Sequence, residues 1–250
     1  MQKPASRRFV SSLFWQLLAI SAIGGSLLLG PGVAKAAWSL DPVLRKAEKR
    51  YGRSSPARER LQAWQDLLQS SHQRPEQEQL QAVNREINRQ VRFSDDSALW
   101  KRRDYWATPV ETLAKGAGDC EDFALAKYFT LLQLGIPQEK LRITYAKALD
   151  LNQAHMVVTY YEAPDAEPLV LDNLVDVILP ASQRKDLALR YAFDARGLYA
   201  MKGGVLKRVG ETGELPSWQG LLERMRHEGF SLAQLHAAPR TSLPGASPQG

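Results

Sequence analysis

The chain is short of thiols, imidazoles and rings: 250 residues carry one cysteine, four histidines and 8% aromatics. A solitary Cys120 cannot close an internal disulfide, so a small disulfide-stapled scaffold is excluded. One cysteine with His72, His155, His227 and His236 dispersed along the sequence makes a poor tetrahedral set, which argues against zinc. Beyond residue 36 no apolar run approaches the ~20 residues that span a bilayer. Net charge is scarce too. Of 33 basic residues, Lys3, Arg7, Arg8 and Lys35 lie in a leading stretch without acids, leaving 29 basic against 27 acidic residues downstream. That balance of +2 removes the electrostatic case for a nucleic-acid or anionic-membrane binder. What is present, 44% hydrophobic and 24% charged residues, is the composition of a globular protein and excludes extended disorder.

Residues 1–36 have the pattern of a signal peptide. Lys3, Arg7 and Arg8 give a positive start, Phe14 to Leu29 an apolar stretch, and Ala34-Lys35-Ala36 the small residues of a peptidase site, with cleavage expected after Ala36. A retained anchor is the alternative, because the apolar stretch is marginal for spanning at ~20 residues. After cleavage, 214 residues remain, with no membrane-spanning segment expected. They divide into one domain, 37–236, and a Pro-, Ser- and Gly-rich tail, 237–250, expected to be disordered.

Within the domain, Leu61, Trp64, Leu67 and Leu68, then Leu80, Val83, Ile87 and Val91, fall at helical spacing, with a break at Ser70 to Pro75. A short helix is expected around Val110 to Lys115, and Gly116-Ala117-Gly118 breaks the chain after it. Asp119 to Leu134 reads as a helix apolar around much of its circumference, stopped by Gly135 and Pro137, and so expected to run through the interior. Strands are expected at Leu141 to Ala148, His155 to Tyr161, Leu169 to Asp172, Arg190 to Phe193, Gly197 to Met201 and Val205 to Val209. A last amphipathic helix is expected at Trp218 to Arg226. The fold class is therefore α+β.

Chemistry converges on three residues. Cys120 stands at a Gly-rich helix entrance, where unpaired amides stabilise a thiolate and offer an oxyanion donor. His155 leads one strand and Asp172 ends the next. In an antiparallel pair the start of one strand lies beside the end of the other, so Asp172 can orient the imidazole that faces Cys120. A nucleophile, base and orienting acid of these types support acyl transfer through a thioester. The competing readings are acyl transfer onto an amine, as in transglutaminases, and a non-catalytic exported binding module in which Cys120 is packed.

Gly116-Ala117-Gly118-Asp119-Cys120-Glu121-Asp122-Phe123-Ala124, with His155-Met156-Val157-Val158 and Val170-Leu171-Asp172-Asn173, resembles the bacterial transglutaminase-like cysteine proteases, and more closely their LapG group. Asp104-Tyr105-Trp106-Ala107-Thr108-Pro109-Val110-Glu111 shares that likeness. The resemblance implies a papain-like, transglutaminase-like fold, with N-terminal helices and a buried nucleophile helix on an antiparallel sheet. It implies Cys120 as nucleophile, His155 as base and acid, and Asp172 as orienting carboxylate. It also implies a periplasmic endopeptidase that cuts a large outer-membrane adhesin near its N-terminus, so dispersing biofilm, and an inner-membrane cyclic di-GMP receptor that restrains it. Finally it implies a Ca²⁺ cofactor at the acids around the nucleophile, Asp119 and Glu121, with Asp122 beside them. Like-charge repulsion from these carboxylates on a thiolate points the same way, because a cation would offset it. The alternative is that Asp119 is an N-cap and the other two are favourable first-turn acids. Trp106 is the residue that transglutaminase-like folds suggest as a second oxyanion donor, or else a core residue.

Overall fold

The computed structural model describes residues 40–52, 55–202 and 205–231; the expected signal peptide and tail lie outside them. Three helices come first: α1 (Asp41–Tyr51), α2 (Pro56–Ser71) and α3 (Glu76–Gln90). Pro75 takes the N-cap of α3. A two-residue strand β1 (Arg92–Phe93), a short helix α4 (Asp96–Leu99), helix α5 (Pro109–Lys115) and strand β2 (Ala117–Gly118) lead to the central helix α6 (Cys120–Gln133). The sheet follows: β3 (Leu141–Ala148), β4 (Gln153–Tyr160), β5 (Leu169–Leu171), β6 (Leu179–Pro180), β7 (Leu187–Asp194), β8 (Gly197–Lys202) and β9 (Val205–Gly210). Helix α7 (Pro216–Glu228) completes the order, longer at both ends than its apolar residues suggest.

The seven strands form one antiparallel sheet in the order β6-β5-β4-β3-β7-β8-β9. Helix α6 lies between this sheet, which it meets at β4 and β3, and a helical layer in which α3 and α5 touch it directly. Every residue from Asp122 to Gln133 is buried, so the absence of a polar stripe in this helix has its physical reason. The helix stops as its sequence predicts. Gly135 adopts φ 89°, its N–H donates to the Leu132 carbonyl and that of Ile136 to the Leu131 carbonyl, a Schellman closure that leaves no room for another turn. Trp64 donates its indole N–H to Thr130 Oγ1 at 2.9 Å, pinning α2 to α6, and Phe129 stacks on Trp218 of α7 at 5.6 Å.

One residue inside α6 is at odds with its surroundings. Lys127 is 1% exposed and its Nζ has no hydrogen-bond partner. Burial pushes its pKa down to about 7, against the opposing pull of Asp172 and Asp176. The folded protein therefore binds this proton less readily than the unfolded chain, and stability rises with pH between about 7 and the ordinary lysine range near 10.5. Lys127→Met is expected to stabilise the fold at pH 6.5 by about 1–3 kcal/mol, the penalty of an unsatisfied buried donor. Urea unfolding at pH 6.5 and 9.5 should show the gap between variant and parent shrinking at the higher pH; an unchanged gap would refute it.

Candidate active site

The approach to Cys120 is built by a succession of caps. Thr108 and Glu111 form a capping box that starts α5, and Gly116, at φ 62°, ends it. The Arg60 guanidinium covers the freed carbonyls of Leu113 and Ala114 at 2.6 and 2.7 Å. Ala117 and Gly118 then pair in parallel with Arg92 and Phe93, which fixes the direction in which the chain enters α6. Gly118 is required for space: a Cβ there would lie 2.6 Å from both Cβ and Oδ2 of Asp122.

Cys120 is the first residue of α6 and is partly buried. Its thiol donates to Glu121 Oε2 at 3.0 Å, and the backbone N–H of Met156 hydrogen-bonds the sulfur. Burial and then the neighbouring carboxylates Glu121 and Asp119 push this thiol well above the ordinary range, while the Met156 amide pulls the other way. The expected helix-start stabilisation of a thiolate is thus outweighed here by desolvation and like charge. The Met156 contact sets the sulfur beside the residue that follows His155 on β4.

His155 is the third residue of β4, which starts two residues earlier than expected, directly after a four-residue turn in which Asn152 takes the left-handed φ of 51° that asparagine tolerates. It is 3% exposed, and its Nε2 lies 2.7 Å from Asp172 Oδ1. Asp172 follows the last ladder pair of β5, so the antiparallel argument drawn from the sequence matches the placement of these two residues. The acid is held on several sides. Arg184 donates to Oδ2 at 2.6 Å, the Leu174 amide to Oδ1 at 3.1 Å, and Asn88 to its backbone carbonyl at 2.8 Å. Burial alone would raise its pKa; the His155 and Arg184 contacts outweigh that and hold the carboxyl well below the usual range. Arg184 and Asn88 went unrecognised in the sequence, since neither lies in a motif.

Acids gather on the other side of the nucleophile. One carboxylate oxygen each from Asp96, Asp119 and Asp122 lies within 4.8 Å of the others, and a second set joins Asp96 to Asp104 and Glu121. Asp119 occupies the N-cap position but makes no side-chain capping bond. Asp96 Oδ1, Asp119 Oδ1 and Asp122 Oδ2 are buried without a hydrogen-bond partner. Burial, with repulsion from neighbouring carboxylates of which Glu121 is common to all, raises all three: Asp96 to about 6, Asp119 to about 9 and Asp122 well above its ordinary value. Oxygen ligands at 2.3–2.6 Å from one Ca²⁺ stand up to about 5 Å apart, so this spacing and these orphaned hard donors fit that ion. Asp96 and Asp104 were missed by sequence reasoning because acids in a polar loop read as solvated.

Trp106 is half-buried, stacks on Phe193 at 5.5 Å and directs its side chain's hydrogen bond to Asp104. Its indole N–H is therefore engaged by an acid in this arrangement.

A lone thiol at the start of an interior helix, with a histidine–aspartate pair on the facing antiparallel sheet, defines the transglutaminase-like class of thiol centre. The family model described as bacterial transglutaminase-like cysteine proteinase matches residues 56–191, and the chain belongs to that family. Among solved structures, Legionella pneumophila LapG is 41% identical over 75% of this chain and 98% of its own, with a TM-score of 0.66. Its EGTA-treated form (41%, 75% and 98%, TM-score 0.67) and calcium-bound form (41%, 75% and 99%, TM-score 0.65) match equally. No curated protein sequence matches the chain. Among the described residues, no helix is long and apolar enough to cross a membrane.

Proposed function

We propose that the protein is a calcium-dependent periplasmic cysteine endopeptidase that cleaves a large surface adhesin near its N-terminus and so promotes biofilm dispersal. The observation that carries the chemistry is the buried His155–Asp172 hydrogen bond of 2.7 Å on the strand whose Met156 amide reaches the Cys120 sulfur. The substrate class, the periplasmic location and restraint by an inner-membrane cyclic di-GMP receptor rest on the resemblance to the LapG group.

Cys120 Sγ attacks the scissile carbonyl carbon while its proton passes to His155, whose ring Asp172 orients through Nε2. Backbone amides at the start of α6 are the donors available to the oxyanion. Collapse breaks the C–N bond, His155 returns the proton to the departing amine, and the acyl group remains on sulfur as a thioester. Water then attacks the thioester, giving its proton to His155, and the thiol is restored. Asp96, Asp119, Asp122, Asp104 and Glu121 would hold calcium, a reading supported by the calcium-bound form of Legionella LapG. When bound, the ion supplies positive charge that offsets the repulsion of Glu121 and Asp119 on a developing thiolate.

Purified protein mixed with an N-terminal adhesin fragment should release two pieces whose summed mass exceeds the parent by one water. EGTA should stop the reaction and added Ca²⁺ restore it. Undiminished cleavage in EGTA would remove the calcium dependence, and products carrying an added amine would indicate acyl transfer instead.

A further inference from the structure

The family match ends at residue 191, yet helix α7, beyond that limit, reaches back to the segment beside the acidic cluster. Its Arg224 makes three contacts with one stretch of chain. One guanidinium nitrogen donates to the Trp106 carbonyl, the guanidinium lies 4.5 Å over the Tyr105 ring, and Nε stands 3.6 Å from Glu111 Oε2. Glu111 in turn accepts from the Tyr105 hydroxyl at 3.1 Å, so ring, carboxylate and guanidinium form one closed unit. One turn further along α7, Glu228 Oε1 accepts from the Thr108 hydroxyl at 2.7 Å.

The residues so gripped, 105–108, are also those that orient the cluster. The Tyr105 amide donates to Asp96 Oδ2 and the Ala107 amide to Asp122 Oδ1 at 2.8 Å, leaving Asp96 Oδ1 and Asp122 Oδ2 without partners. Asp104, a member of the second acidic set, directly precedes the gripped residues. Two cluster carboxylates are thus aimed by a loop gripped by a cation that lies 118 positions further along the chain.

We propose that Arg224 is a positioning residue for the cation site: it locks the 105–108 backbone so that Asp96 and Asp122 present their free oxygens to one ion. This rests on the calcium reading given above. Loss of groups that orient metal ligands typically weakens affinity roughly 10- to 100-fold, and the same range is expected for Arg224→Gln.

The test is calorimetric titration of the purified protein with CaCl₂, paired with thermal melts in Ca²⁺ and in EGTA. Wild type should bind Ca²⁺ and melt higher with it. Arg224→Gln should bind at least about tenfold more weakly and lose most of that upward shift. Arg224→Lys, which keeps charge but not the flat guanidinium, should fall between them and serves if the glutamine variant does not fold. Arg226→Gln, on the same helix with only an exposed Glu223 partner, should match wild type. An Arg224→Gln protein that melts lower by the same amount with and without Ca²⁺, at unchanged affinity, overturns the positioning role and leaves the calcium reading intact. A wild type that binds no Ca²⁺ overturns both.

Discussion

Cys120→Ala protein is expected to fold as the parent does and to hydrolyse the adhesin fragment about 10,000-fold more slowly or worse, the scale on which loss of a nucleophile acts when base and orienting acid work as a unit with it. The thiol is the chain's only one, so no second cysteine can replace it. Its removal leaves a small void at a partly exposed helix start, so the thermal midpoint should move little. Single-turnover cleavage assays with both proteins at matched concentration read the effect. Cleavage within tenfold of the parent rate would show that the thioester route is wrong and would return Cys120 to the status of a packed side chain.

The second large effect falls on Asp172. Asp172→Asn keeps the shape of the side chain while removing the charge that fixes the His155 tautomer, and a loss in kcat of about 10,000-fold is expected from the same change in other triads. A stability cost accompanies it, because the Arg184 side chain is 2% exposed and loses the carboxylate 2.6 Å from its guanidinium. Breaking a buried pair from one side costs about 3–5 kcal/mol, with the lower end expected here since Asp186 still accepts from Arg184 at 2.7 and 3.0 Å. Asp186→Asn, at a side chain 33% exposed, should cost less than about 1 kcal/mol and leave kcat near the parent value. Denaturant unfolding and steady-state kinetics on the two variants distinguish them, and a larger stability loss in Asp186→Asn than in Asp172→Asn would mean that Arg184 is anchored chiefly by Asp186.

Which parts of this centre the sequence makes legible follows from how far each signal extends along the chain. Helix α6 is legible because a run of apolar residues, a Gly-rich entrance and a Gly-and-Pro exit all lie within twenty-odd positions, and its observed bounds differ from the expected ones by one residue at each end. The His155–Asp172 pairing is legible because antiparallel neighbours obey a simple end-to-start rule. By contrast, β1 and β2 are two residues each, too short to carry a period, and only their pairing places Phe93 against Gly118. Asp96 and Asp104 lie well before Cys120 in a polar stretch, and the burial of Asp96 and the nearness of both to Glu121 arise from tertiary packing that no local pattern records. Lys127 is hidden by its company: a periodicity reading of α6 counts its apolar neighbours and passes over the amine.

The enclosure of α6 by sheet on one side and helices on the other carries a consequence for control. A helix with no solvent-facing stripe cannot slide or tilt to withdraw its first residue without disrupting both layers at once, and dense interiors do not deform by degrees. Any agent that silences this enzyme without unfolding it has to act at the periphery of that helix, on the acids gathered at its start or on the segments that surround Cys120.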